Sequence, residues 1–335
     1  MNGQPTLAKH LESFFHHRLT EQRNATSATI KAYRDALRLL VLFVAEYTKK
    51  KPCDLAIGDL DRDVILEFLD YLEHSRGNGV HTRNARMTAI RSFFHHVSAS
   101  DPATIGIAQR VLAIPSKKAN VLTCHYLSKT ELDALIEAPN PDTPRGLRDR
   151  TLLTFLARTG ARVSEVLAVE AADLSLDGTR SQVLLHGKGR KQRRVPLACD
   201  LVAAIHNLMH ERGIGRCDPA PLFVGTHGRP LTRFGATHVV RRAVTAACRQ
   251  MPELARKRIS PHTFRHSLAM ILLQSGVDLL TIQAWLGHAQ VATTHRYAAA
   301  DVEMMRRSLK QAGIQGAEAR RFKHKDSVLS LLEGL

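Results

Sequence analysis

The sequence predicts a mainly α protein with a small β-sheet in its second half, arranged as a helical first domain followed by an α+β second domain. Three observations carry that expectation. Apolar residues recur at helical spacing along most of the chain. The period changes once, where Val183, Leu184 and Leu185 lead into a glycine turn and Val195 and Leu197 follow it. A stretch without periodicity, residues 114–120, separates the halves, and 335 residues suffice for about two domains with a core each.

The first domain is assigned to residues 1–113, with about four helices between residues 7 and 97. Ala36, Leu37, Leu40, Val41 and Val44 form one apolar stripe after a polar cap region at residues 27–29, and Val64, Phe68, Leu69 and Leu72 form another. Breaks fall at residues 48–52, 58–61 and 76–79, where proline, glycine and asparagine interrupt the pattern. A helix over about residues 81–97 carries Arg83, Arg86 and Arg91 beside its apolar set, which predicts a basic exposed face. Residues 114–121, with Pro115, Lys117 and Lys118, read as a solvent-exposed linker.

The second domain is assigned to residues 122–312. Ser128 with Glu131 three residues on is a capping box that opens a helix. A helix over residues 147–158 is closed by Gly160, a short one follows through residues 163–167, and the two strands form a hairpin with Lys188 at its tip. Residues 201–309 return to helical spacing, with stops near Gly213, Gly276 and Gly287. Residues 313–335 form a tail whose Val328, Leu329, Leu331, Leu332 and Leu335 are too few to hold a helix alone, so the tail is expected to pack on a neighbouring protomer.

Charge narrows the partners. Lys and Arg number 48 against 31 Asp and Glu, a formal charge of +17, so a polyanion is the natural partner. With 44% hydrophobic and 24% charged residues the composition is that of a folded protein, so the charge is not that of a disordered tail. Five scattered cysteines with no CxxC pair argue against a disulfide framework and against a metal site, and fit a reducing, cytoplasmic setting. No apolar run reaches the ~18 residues of a membrane span, and residues 1–6 do not read as an export signal. In residues 188–194 five of seven are basic, and Lys188 aside, Arg190, Lys191, Arg193 and Arg194 are expected to touch a DNA backbone, together with Arg83, Arg86, Arg91, Lys117 and Lys118. The pairs His16-His17 and His95-His96 point in different directions on a helix and are assigned to packing or surface.

Three short stretches carry candidate chemistry. In Ser260-Pro261-His262-Thr263-Phe264-Arg265-His266, serine and proline start a helix, and His262 and Arg265 share a face. Phe264, Leu268, Ile271 and Leu272 would anchor the other side. An imidazole beside a guanidinium suits a phosphate, because Arg binds two oxygens at once and His moves a proton near neutral pH. In Thr159-Gly160-Ala161-Arg162-Val163-Ser164-Glu165 an arginine follows a glycine turn, with a glutamate placed to orient it. Leu286-Gly287-His288 sets a second imidazole past a helix-ending glycine, and Tyr297 stands nine positions further.

Together these residues resemble the tyrosine recombinase, or phage integrase, family. The Thr-Gly-x-Arg-x-Ser-Glu, Gly-Lys-Gly, His-x-x-Arg-His and Leu-Gly-His boxes and the tyrosine occur in order, and the helical first domain resembles the family's core-binding domain. The resemblance implies Arg162, Lys188, His262, Arg265, His288 and Tyr297 as the catalytic set. Tyr297 would be the nucleophile that forms a 3′-phosphotyrosyl ester, the arginines would clamp phosphate oxygens, and the histidines would position or exchange protons. Lys188 would protonate the leaving 5′-oxygen, and Glu165 would orient the Arg162 region. It implies no metal, ATP or other cofactor. It implies double-stranded DNA, closed on by the two domains, and self-association as a tetramer on two sites, with other recombinases as further candidate partners. Because the helical unit starts close to Met1, a two-domain recombinase without an arm-binding domain is expected. Ala289 and residues 269–271 depart from the usual pattern, away from the catalytic positions.

Integration or transposition of a mobile element or plasmid is the expected role. Chromosome or plasmid dimer resolution by the same chemistry, relaxation in the manner of a type IB topoisomerase, and DNA binding without catalysis are the alternatives.

Overall fold

The structure is a computed structural model that describes residues 6–118, 126–187, 191–225 and 227–287. It divides into two compact units between Leu122 and Thr123, each with its own hydrophobic core.

The first unit is helical among its described residues. Helix α1 (Leu7–Ser13) runs on into a wider π-helical segment, Phe14–Gln22. Helix α2 (Ser27–Thr48) starts where the Thr26 side chain accepts from the Thr29 amide and ends at Lys49, whose φ is 56°. Helices α3 (Arg62–His74) and α4 (Val80–Ser100) follow, α3 capped by Asp61 accepting from the amides of Asp63 and Val64. Helix α5 (Ile105–Leu112) completes the unit. Leu37, Leu40, Val44, Phe68, Leu69 and Leu72, read from spacing as core, are buried.

Helix α4 corrects one expectation. It packs against α2, α3 and α5, and the residues it leaves exposed are His81, Thr82, Ala85, Thr88, His95, Ala99 and Ser100 rather than the arginines. Arg83 is buried, with Nε 3.3 Å from Glu73. Arg91 donates to Ser116 Oγ at 3.0 Å and to the Ile114 carbonyl. Arg86 is half-buried, and its burial, then the charge of Arg76, lowers its pKa. No basic exposed face is formed by these three. The segment expected to be a solvent-exposed linker begins in the core as well: Ile114 is buried, and Asn84 Nδ2 donates to the Lys117 carbonyl at 2.8 Å. Its remainder, residues 119–121, lies outside the described residues.

The second unit is built around α7 (Pro144–Thr159), whose Leu152, Leu153, Phe155, Leu156 and Ala157 are all buried. Helix α6 (Lys129–Glu137) starts at the expected capping box, the Glu131 amide donating to Ser128 Oγ and the Ser128 amide to Glu131 Oε2. Helix α8 (Val163–Val166) is a single turn. A three-stranded antiparallel sheet follows, ordered β1 (Leu174–Ser175), β2 (Gln182–His186), β3 (Gln192–Pro196). The hairpin β2–β3 matches the sequence reading; β1, two residues long, carries too little pattern to be foreseen. Val183 pairs with Val195 and Leu185 with Arg193, so these four share one face, and Val183, Leu185 and Val195 are buried. Helices α9 (Cys199–Arg212), α10 (Arg233–Ala247), α11 (Pro261–Gln274) and α12 (Leu279–Leu286) complete the described part. Among the described residues no helix is long and apolar enough to cross a membrane.

Candidate active site

The site is assembled where α7 and α12 end. Gly160 stops α7 with φ +60°, a conformation costly for any residue with a Cβ. Space forbids a side chain there too, since a Cβ would lie 2.7 Å from Leu286 Cδ2. The next turn places Arg162 at the start of α8. Glu165, three residues on and only 3% exposed, folds back on it: Oε2 accepts from the Arg162 amide at 2.9 Å, and Oε1 from Arg162 Nη1 at 2.7 Å. Some 36% of the Arg162 side chain stays exposed, so its charge reaches solvent.

Glu165 serves a second guanidinium that sequence reasoning had assigned to DNA. Arg193 Nη2 donates to Glu165 Oε2 at 2.7 Å and Nη1 to Oε1 at 3.1 Å, with the side chain 14% exposed. Arg193 is thereby turned into the protein, and its assignment as a DNA-backbone contact is corrected. The reason is the strand's alternation: Arg193 shares the inner face with Val195, while Gln192 and Arg194 are exposed. That two-residue period was the signal available in the sequence. Burial alone would raise the Glu165 pKa, but the bonds from Arg193 and from the Arg162 amide and guanidinium outweigh it and hold the carboxyl at about 2.

Arg265 is buried as well, 4% exposed, which corrects the picture of a guanidinium presented on an open helix face. Its Nη1 donates to the Gly160 carbonyl at 2.8 Å and its Nη2 to the Leu286 carbonyl at 2.6 Å. Helix α11 is buried along Phe264, Arg265, Ala269, Met270 and Leu273, whereas Leu268, Ile271 and Leu272 are only half-buried. His262, one turn earlier, is exposed. Partial desolvation of its ring, then the charges of Arg265, Arg162 and Arg233, hold its pKa below the ordinary imidazole value. Arg233, at the start of α10, belongs to this electrostatic neighbourhood and was missed in the sequence because no motif marks it.

The end of α12 closes the site. Arg162 Nη2 donates to the Gly287 carbonyl at 3.1 Å, Arg265 to that of Leu286, and Arg193 Nε to that of Trp285 at 3.0 Å. Three guanidiniums from three elements thus take three successive carbonyls at a helix C-terminus, where unpaired carbonyls and the helix dipole favour cations. Trp285 Nε1 returns a bond to the Thr159 carbonyl at 3.1 Å. Of the three guanidinium charges Glu165 offsets one, so the cluster carries an excess of positive charge and is suited to an anion with several oxygens.

Of the expected catalytic residues, Arg162, His262 and Arg265 lie in this cluster, with Glu165 beside them. Lys188, His288 and Tyr297, and Arg190 among the expected DNA contacts, lie outside the described residues, as does the tail. Their chain neighbours border the site: a Cβ on Gly187 would lie 3.5 Å from Glu165 Oε1, and Gly287 is bonded to Arg162. Lys117, Lys118, Lys191 and Arg194 are exposed, Lys117 paired with Glu73 at 2.9 Å.

Comparison with known proteins bears on what this geometry serves. The profile of the phage integrase family matches residues 125–304, more than half of the chain, and that of the phage integrase SAM-like domain matches residues 10–100. The chain belongs to the phage integrase family. Within this family it is 60% identical over 268 residues to the integrase/recombinase y4rD of Sinorhizobium fredii (strain NBRC 101917 / NGR234), covering 80% of this chain and 95% of that protein. It is 33% identical over 291 residues to the tyrosine recombinase XerC of Pelobacter propionicus (strain DSM 2379 / NBRC 103807 / OttBd1), covering 87% and 90%. The fold of this phage integrase family member is like that of the XerH site-specific recombinase in a post-cleavage complex with a palindromic difH substrate, at a TM-score of 0.69 and 24% identity, covering 90% of this chain and 84% of that one. It is equally like that of the Tn1549 transposon integrase in complex with a circular intermediate DNA, at 0.69 and 16% identity, covering 89% and 98%.

Proposed function

We infer that this chain is a site-specific DNA recombinase that cuts and rejoins duplex DNA through a covalent 3′-phosphotyrosine. The observation that carries this reading is the cluster of Arg162, Arg193 and Arg265, in which Arg162 and Arg193 share the carboxylate of Glu165: an anion site with surplus positive charge bordered by Gly187 and Gly287, the neighbours of positions 188 and 288. In the step proposed, the Tyr297 oxygen bonds to the scissile phosphorus as the P–O5′ bond breaks. His262 or His288 takes the phenol proton, and Lys188 gives a proton to O5′. Arg162 and Arg265 neutralise the non-bridging oxygens as charge builds on the five-coordinate phosphorus. The phosphotyrosyl ester keeps the bond energy for religation, so no cofactor is needed.

Self-association as a tetramer on two DNA sites belongs to the same proposal. It draws support from an apolar groove of about 500 Å³ on the second unit, lined by Leu132, Ala157, Pro196, Leu268, Ile271 and Trp285 among others, which suits the apolar tail of a neighbouring protomer. Mobility of a genetic element is the role proposed, on the 60% identity to a protein described as an integrase/recombinase. Dimer resolution is the second reading, favoured by the 33% identity to XerC.

The test is Tyr297→Phe on a duplex that the wild-type protein selects from a randomised pool. Wild type is expected to leave a protein–DNA adduct that survives denaturing electrophoresis; the variant is expected to bind with unchanged affinity and leave none. An adduct from the variant at the wild-type level overturns the assignment. A second expectation concerns pH. Because the His262 imidazole is held below its ordinary value of 6.5, it is neutral and able to accept a proton throughout the neutral range. Single-turnover adduct formation should be flat from pH 7 upward to the next titration and fall only as pH drops below 6.5. A decline that begins above pH 7 on acidification is the contrary result.

A further inference from the structure

Arg193 lies in a strand that runs alongside the site, and its contacts form a closed circuit. Its fork grips both oxygens of Glu165; Glu165 Oε1 also holds Arg162 Nη1; Arg162 Nη2 holds the Gly287 carbonyl; and two residues back along the chain the Trp285 carbonyl accepts from Arg193 Nε. All three bonds use the planar geometry of one guanidinium, which a lysine cannot reproduce. Gly287 is shaped to the same circuit: its φ is +67°, and a Cβ there would stand 3.1 Å from both Cδ and Nη1 of Arg193. The residue that turns the chain toward position 288 is therefore also the one that makes room for this guanidinium.

We propose that Arg193 is a positioning residue: a strut that locks Glu165 and the end of α12 into one frame, and so holds Arg162 where its guanidinium meets the scissile phosphate. The proposal rests on the recombinase reading above, in which Arg162 meets a phosphate oxygen. Without Arg193, Glu165 keeps the Arg162 amide and one guanidinium instead of two, so its Oε1, which anchors Arg162 Nη1, is held less firmly. One of the two anchored nitrogens of Arg162 is then less constrained. The cluster loses one of its positive charges, but Arg193 is turned inward and ion-paired with Glu165, so what the loss changes most is the aim of Arg162. A DNA-contacting arginine would behave otherwise, since its loss weakens affinity and lowers the salt dependence of binding by about one counterion.

The experiment compares full-length wild type, Arg193→Met and Arg193→Lys on the duplex selected above. It measures affinity at several salt concentrations and single-turnover adduct formation on two substrates, one with the natural phosphodiester and one with an uncharged methylphosphonate at the scissile position. Arg193→Met is expected to bind within about threefold of wild type with an unchanged salt slope, and to react about 100-fold more slowly on the phosphodiester. The loss is expected to shrink to about tenfold or less on the methylphosphonate, where one non-bridging charge that Arg162 must meet is gone. Arg193→Lys, which keeps a charge beside Glu165, is expected to fall between. Equal losses on both substrates, rates at the wild-type level in both variants, or weakened binding with a reduced salt slope each overturn the proposal. Wild type separates this from the reading beneath it: no adduct from wild type overturns the recombinase assignment and this proposal with it, whereas adduct from wild type with any of those three results overturns the role of Arg193 alone.

Discussion

Glu165→Ala is expected to destabilise the second unit by about 3–5 kcal/mol, the usual consequence of removing one partner from a buried ion pair. The carboxylate is 3% exposed and accepts from the Arg162 amide and from two guanidiniums, so its removal leaves a backbone donor and two cations facing each other with no anion between them. A carboxyl held at about 2 rather than 4.5 itself corresponds to about 3 kcal/mol of folding stability at neutral pH. The sign is that of a depressed acid. The contribution is complete above pH 4.5 and is lost as pH falls from there toward 2. Urea denaturation of the full chain followed at pH 7 and at pH 3 checks both points: the variant should be less stable than wild type at pH 7, and the gap should narrow at pH 3. Glu165→Gln keeps the shape and some of the hydrogen bonds without the charge, and should lie between them. A variant as stable as wild type at pH 7 would contradict the assignment of Glu165 as the shared anchor.

Arg265→Lys is expected to slow adduct formation by roughly 100- to 1,000-fold, the range seen when one preorganised donor to a developing charge is lost. The buried guanidinium spans two helix ends, Nη1 on the Gly160 carbonyl and Nη2 on that of Leu286, and no single ammonium can occupy both positions. The charge is kept, so DNA affinity should stay within a few-fold while the rate of the covalent step collapses. Single-turnover adduct formation at saturating protein measures this directly. A rate within tenfold of wild type would mean that charge alone, without the two-carbonyl geometry, is sufficient at this position.

The contrast between two arginine groups locates the boundary of what the sequence can tell. For Arg162 and Arg265, glycine turns, helix starts and fixed spacing marked the positions, and both lie in the cluster. Arg83 and Arg91, read as the exposed face of a helix, and Arg193, read from a basic run, were expected to be surface contacts, and each is paired inside the protein, Arg83 with Glu73 as an ion pair. Composition records that a side chain is cationic; it does not record which face of the element is covered. In β3 the alternation with Val195 held that information, and in α4 the spacing of Arg83 with Met87, Ile90, Phe94 and Val97 held it for Arg83, while the partners of Arg91 depended on the chain's return at Ile114 and Ser116.

By itself the sequence determined the main helices, the β2–β3 hairpin, the breaks between them and the family, but not the π-helical segment Phe14–Gln22 or the two-residue β1. Helical and strand periods, the capping box at Ser128 and the glycines at 160, 213, 276 and 287 are local features, readable because backbone sterics and capping act within a few residues. Only the tertiary structure decided the partners of each charge: that one carboxylate serves Arg162 and Arg193, and that the carbonyls of Trp285, Leu286 and Gly287 each receive a different guanidinium. Those pairings join residues as much as 125 positions apart, and they form because packing leaves buried charges and helix-end carbonyls no water to satisfy them.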